Sequence, residues 1–324
     1  MIPNYLLKFF RRIYTHSHSY SKDQEEIENQ RDFCGQSAND FIYNRICNSN
    51  NTGLMISKFG TIELESITGF IARKKKITYK DYFNYCKGKV FLYPKENLKM
   101  LCNNAGFFPN DLSLQEDFDK LCINDSRFID VLVSYLTEEK YLSNELKKAT
   151  KIDLDGFLAP YLWKNPWSMA LEGKKVLVIH PFVDSIKKQY SRRELIFKDR
   201  NVLPTFKKLI LIKAVQSIGG NSDNSNFKTW FDALHFMEKQ IDLLDFDIAI
   251  IGCGAYGMNL AAYIKRKGKI ALHMAGWTQM LFGIYGKRWI DQPKYSSFIN
   301  EYWIRPNELE KPTSYKNVEN GCYW

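Results

Sequence analysis

Four short apolar runs in the second half of the chain limit its fold more than any other feature: "KKVLVIHPF" (174–182), "KKLILIKAV" (207–215), "FDIAIIGCG" (246–254) and "GKIALHMAG" (268–276). Each is bounded by Lys, Gly or Pro and is hydrophobic at consecutive positions, the pattern of a strand buried on both faces. Between the second and third lies "FKTWFDALHFMEKQIDLL", and between the third and fourth "YGMNLAAYIKRKG". Both stretches are apolar at helical spacing. Strand–helix alternation of this kind requires right-handed crossovers and a parallel sheet with helices on both faces. The expected fold class is therefore α/β, with a Rossmann-like nucleotide-binding domain over 166–290.

Residues 33–165 have a different period. Their apolar spacing is mainly helical, as in "ELESITGFIARKKK" and "DFDKLCINDSRFIDVLVSYLTEEKYLSNELKKA". One segment departs from it: "TGLMISKFGTIEL" reads as a strand over Leu54–Ser57, a glycine turn, and a helix from about Glu63. Residues 291–324 form an aromatic, Pro-rich tail expected to pack on the sheet domain. Residues 1–32 form a basic and polar N-terminal segment. There Leu6, Leu7, Phe9, Phe10 and Ile13 beside Lys8, Arg11 and Arg12 read either as an amphipathic helix on an anionic membrane face or as a frayed terminus. Residues 15–31 read as a polar linker or an exposed helix start.

At 324 residues with 45% hydrophobic content the chain can build more than one core, roughly two domains. No run of 18 apolar residues occurs, so no span of a bilayer is expected, and the apolar part of the start is too short for a signal peptide. Seven cysteines without a C-x-x-C pair point to a reducing, cytoplasmic compartment rather than to a disulfide framework or a zinc site. The net charge of +10 suits phosphorylated substrates, polyanions or anionic lipid and selects none of them. With no zinc-finger or RNA-recognition signature, nucleic acid is not an expected partner.

Gly252, Gly254 and Gly257 stand at the spacing G-x-G-x-x-G after the third run. A turn of this kind lets a phosphate approach backbone amides and the positive end of the next helix, here beginning near Ala255. A dinucleotide site also wants the turn in the first βα unit, with an acidic residue about 20 positions on. Here two strands precede the turn and His273 ends the next one. The readings that remain are the phosphate of a mononucleotide or nucleotide sugar, a purely structural tight turn, and an NAD(P)-dependent oxidoreductase as the alternative enzyme. Other polar groups are expected at the same sheet edge. His180 and His273 end two strands, where an imidazole can bond phosphate, ligate a metal or act as acid or base. Tyr256 and Trp277 are placed to stack on a base or sugar. Arg192 and Arg193, read as a helix start after the first strand, offer forks for pyrophosphate.

The stretch "ISKFGTIEL" (56–64) resembles the S-x-x-R-F-G-D-G-E signature of GT-D-type glycosyltransferases. "IIGCGAYGMNLAAYIKRKGKIALHMAG" is similar to that family's strand, glycine turn, helix, Lys-x-Gly and His-ended strand. "PWSMALEGKKVLVIHPF", "AVQSIGG" and "GWTQMLFGIYGKRW" look like proteins of bacterial surface-polysaccharide loci. The resemblance implies transfer of a sugar from a nucleotide-sugar donor to a growing glycan of capsule or lipopolysaccharide, possibly lipid-linked, at the cytoplasmic face of the inner membrane. It also implies an Asp-x-Glu pair serving Mg²⁺ or Mn²⁺. Two positions differ: Lys58 replaces Arg, and Thr61 replaces the Asp. That leaves Glu63 as the sole carboxylate for a metal, a poor donor set for a hard cation. Lys58, Arg192 or Arg193 and the helix start at Ala255 would then stabilise the departing nucleoside diphosphate, and Glu63 would act as base or hold sugar hydroxyls. Lys58, Gly60, Thr61 and Glu63 form one lip of the expected site, the 252–257 turn the other, with His180 and His273 between. A non-catalytic assembly protein that keeps this fold is the third reading.

Overall fold

Seven parallel strands form one sheet in the computed structural model, which describes residues 3–17, 25, 27–49, 52–220 and 226–324. The strands are β1 (Leu54–Ser57), β2 (Val131–Val133), β3 (Thr150–Ile152), β4 (Lys175–His180), β5 (Lys208–Lys213), β6 (Ile248–Ile251) and β7 (Ile270–His273). Their order across the sheet is β3-β2-β1-β7-β6-β4-β5. All four strands expected in the second half are present, as is Leu54–Ser57. β1 pairs with β7 in the register Ile56↔Leu272, so strands from either side of position 165 belong to the same sheet. Two short strands, β2 and β3, fall where the sequence reads as helix.

Side-chain alternation divides the interior into two layers. Met55, Leu132, Leu177, Ile179, Ala249, Ile251 and Ala271 face one core, whereas Ile56, Val131, Val133, Val176, Val178, Ile250 and Leu272 face the other. Each layer is closed by helices. The helices Thr61–Lys74, Leu112–Ser126, Trp230–Asp242 and Gly257–Arg266 contribute Leu64, Phe118, Trp230 and Leu260 to the first core. Gln36–Cys47 and Val183–Tyr190 contribute Ile42 and Ile186 to the second. Local signals fix several helix starts: the Asp111 carboxylate accepts from Ser113 N and Leu114 N, and Thr229 with Asp232 forms a capping box.

Phe33 forms a parallel bridge to Ile152 beside β3. At the C-terminal end the tail crosses the sheet domain. Trp303 Nε1 donates to Ile196 O at 2.9 Å, and the Glu310 carboxylate accepts from Asp184 N at the start of the helix after β4. Trp324 packs edge-on against Phe182 at 5.9 Å. The segment 4–17 is a helix docked on the body, while residues 18–24 and 26 of the expected linker lie outside the described residues.

Candidate functional site

Ligand crevices of open parallel sheets form beyond the carboxyl ends of the strands, where neighbouring connections leave toward opposite faces. Four adjacent strands of this sheet, β1, β7, β6 and β4, meet that condition in alternation. The chain after β1 and after β6 turns into the first core through Phe59, Leu64 and Met258. After β7 and β4 it turns into the second through Met274, Met280 and Ile186. A cleft of about 220 Å³ opens between these connections. Its walls are Lys58, Gly60, Thr61 and Glu63 after β1, His273 and Gly276 at β7, Gly252 to Gly254 with Tyr256 after β6, and His180 at β4. The two expected lips therefore meet, separated by one strand, or ~10 Å.

Glu63 stands in the first turn of the helix Thr61–Lys74, whose N-cap is Gly60. Its carboxyl group folds back over that glycine: a Cβ on Gly60 would sit 1.9 Å from Glu63 Oε2. Burial raises the pKa of Glu63 above its ordinary value. The backbone amide it accepts from and the Lys58 ammonium pull the other way and do not cancel the burial. Lys58 Nζ donates to Phe59 O and Tyr135 Oη, both at 3.2 Å, and lies 5.1 Å from the Tyr135 ring.

Both histidines are buried and neutral. Burial lowers each to about 3, with Lys58 adding to the effect at His273. His180 Nδ1 accepts from Phe182 N at 3.0 Å, which assigns its proton to Nε2. His273 Nδ1 lies 2.9 Å from Ser57 Oγ, its neighbour on β1, and its Nε2 is buried without a protein partner. Of the roles open to an imidazole at a strand end, the neutral form of both favours hydrogen bonding.

The glycines are held by protein contacts. A Cβ on Gly252 would lie 2.4 Å from Ala275 O, one on Gly254 2.7 Å from Ala105 O, and one on Gly257 2.2 Å from His273 Nε2. Gly254 also has φ +58°, in the left-handed region. Gly252 and Gly254 line the cleft; Gly257 and Ala255 stand behind it. Gly252→Ala is expected to destabilise the fold by about 1–3 kcal/mol through overpacking against a carbonyl that cannot rotate away. Urea denaturation measures this, and unchanged stability with lost ligand binding would assign the glycine to the ligand instead.

Three expected residues lie elsewhere. After the helix that ends at Tyr190, Arg192 caps and Arg193 opens a short 3-10 helix, Arg193–Leu195, as expected of a helix start, but neither lines the cleft. Arg192 bonds Gln189 Oε1 and Tyr302 O, and Arg193 bonds Thr205 Oγ1. Trp277 packs edge-on with Trp289 and Tyr295 away from the cleft. Tyr256 does line the cleft, but Trp230 stacks on its ring at 5.0 Å and 5°. The cation that sequence reasoning missed is Arg288, which joins the lining together with Glu319, Tyr323 and Trp324 from the tail. Arg288 pairs with Glu319 and lies 4.7 Å from the Tyr323 ring. Its only sequence signal is the Lys287-Arg288 pair at the end of the mainly apolar "GWTQMLFGIYGKRW".

A divalent cation does not fit these donors. Glu63 is held toward its protonated form, Glu319 is paired with Arg288, and the Nδ1 atoms of both histidines are occupied. Among the described residues no group of three His, Cys, Asp or Glu is placed to hold a metal. The chain matches no protein-family model, no curated protein and no solved structure.

Proposed function

We propose that the cleft binds a nucleotide-sugar donor and transfers its sugar to an acceptor hydroxyl, with Glu63 as the base on that hydroxyl. One observation carries the reading: a half-buried carboxylate of raised pKa and a glycine turn on a parallel-sheet edge line the same cleft. A cavity of about 220 Å³ suits the sugar and phosphate end of such a donor, with the base and ribose extending toward solvent. Lys58 and Arg288 replace Arg192 and Arg193 as the cations offered to the leaving diphosphate. The amides that open the 3-10 turn Gly254–Tyr256 have no partners within their own helix and add a positive dipole end. His180, with its proton on Nε2, is a neutral donor to a sugar or phosphate oxygen. The glycan or lipid-linked acceptor follows from the resemblance noted in the sequence.

A thermal-shift screen of UDP-, GDP-, CMP- and dTDP-sugars tests the reading. One nucleotide class at a hundredfold over its dissociation constant stabilises by about 2.7 kcal/mol, which raises Tm by about 5 °C. A shift with NADH and with no nucleotide sugar would move the protein to the oxidoreductase class. Stabilisation by none of these ligands would overturn nucleotide binding altogether.

A further inference from the structure

The N-terminal helix Asn4–Ser17 is amphipathic in the reverse sense for a helix packed on a globular body. Its inward side makes few apolar contacts. Leu7 is buried, and Arg11 donates to Tyr85 O and Val90 O at 2.9 Å while lying 4.9 and 4.3 Å from the Tyr85 and Phe91 rings. Its outward side carries the large hydrophobic residues: Tyr5 is 71% exposed, Phe9 57%, Phe10 52% and Ile13 50%. Residues 5, 9 and 13 lie one turn apart, and Phe10 stands beside them on the same arc. The adjoining helix Tyr79–Cys86 extends the patch through Phe83, because Lys87 Nζ lies 4.4 Å from the Phe83 ring and 5.8 Å from the Tyr14 ring.

We propose that this outward face docks on an anionic phospholipid surface. Charge complementarity selects the occupant. The helix has no acidic residue and carries Arg12 exposed, Lys8 pairs with Glu96, and Lys75, Lys76 and Lys80 lie exposed just before and within the neighbouring helix. A helix of this kind rests in the plane of the interface, with its apolar side among the acyl chains and its cations at the headgroups. Size argues against a second protein. Fourteen residues make a face ~21 Å long and ~10 Å wide, a fraction of the ~800 Å² per partner of a standard interface. No helix among the described residues is long and apolar enough to cross a membrane, so the attachment is to one surface. The Arg11 hydrogen bonds join the helix to the body, so the body is held against the same surface.

Cosedimentation of the full chain with phosphatidylcholine vesicles, with and without equimolar phosphatidylglycerol, tests the proposal. Binding is expected to the mixed vesicles, at least about tenfold weaker to phosphatidylcholine alone, and weaker again as salt is raised. The double substitution Phe9→Asp/Phe10→Asp should lower binding to mixed vesicles at least about tenfold with unchanged thermal melting, because both side chains already face water. Should that variant melt early, Arg12→Glu supplies the same comparison through charge. Parental protein that ignores anionic vesicles overturns the proposal, as do variants that bind as well as the parent. A parental dimer that Phe9→Asp/Phe10→Asp converts to monomer, with no vesicle binding, would assign the face to a second copy.

Discussion

Glu63→Gln is expected to lower kcat by about 10²–10⁴-fold while leaving the fold intact, the range lost when a positioned general base is removed. The substitution is close to isosteric, so the side chain still covers Gly60 and still accepts from the backbone amide at the helix start. What it removes is proton affinity. Glutamine cannot take the acceptor's proton, so the loss belongs in kcat rather than in donor affinity. Glu63→Asp would withdraw the carboxylate by one methylene and is expected to recover only part of the rate. Initial rates of nucleotide release decide the matter. A glutamine variant that keeps more than a tenth of the parental rate retains all but ~1.4 kcal/mol of transition-state stabilisation, which is too much for a protein without its base.

The pH dependence follows from the sign of the Glu63 shift. Two opposed effects act on this carboxyl group: the helix start and Lys58 favour its anion, whereas burial disfavours it, and burial wins. The rate should therefore rise with pH as Glu63 ionises, with a midpoint above the ordinary glutamate value. Stability moves the opposite way. A carboxyl group whose folded pKa is raised binds more protons folded than unfolded, so its contribution is lost as pH rises through the folded pKa. The protein is thus expected to work best where ionised Glu63 already costs it stability.

Much of this edge was legible in the sequence, and the reason is local. β4, β5, β6 and β7 are buried on both faces, so each shows as an apolar run against helical surroundings. A strand, a glycine turn and a helix in succession also fix where their junction lies on a parallel sheet, which is why Glu63, Gly252, His180 and His273 could be assigned to one edge. β2 and β3 were hidden because each has three residues and their flanks, as in "SRFIDVLVSYL", keep helical spacing. The pairing of β1 with β7 spans about two hundred residues and leaves no local period. Arg192 and Arg193 do open a short helix after β4, but the sequence could not show that Gln189, Tyr302 and Thr205 hold their guanidinium groups outside the cleft. Arg288 was missed because its partners Glu319 and Tyr323 arrive from the tail, 31 and 35 residues later.

The stability of the protein should depend on Asp119 more steeply than on any charge at its surface. Asp119 lies on the inward side of the helix Leu112–Ser126 and is fully buried, with the Ser66 hydroxyl as its hydrogen-bonding neighbour. Ser66, Arg73 and Glu116 surround it. Burial dominates: it raises the pKa from 3.8 to about 7, against the pull of Ser66 and Arg73. Native protein thus holds a proton between about pH 4 and 7 that the unfolded chain releases. The stabilisation is complete below the unfolded value and is lost as pH rises through the folded one. At 1.36 kcal/mol per unit the difference is about 4 kcal/mol, well above the ~0–1 kcal/mol of an exposed ion pair such as Lys120–Asp117. Asn imitates the protonated acid in shape and cannot ionise. Asp119→Asn should therefore match the parent within about 1 kcal/mol near pH 4 and exceed it by about 3–4 kcal/mol near pH 9. Urea denaturation at the two pH values measures the difference directly. A variant less stable than the parent at pH 9 would mean that Arg73 and the ionised carboxylate form a pair stronger than the burial that opposes it.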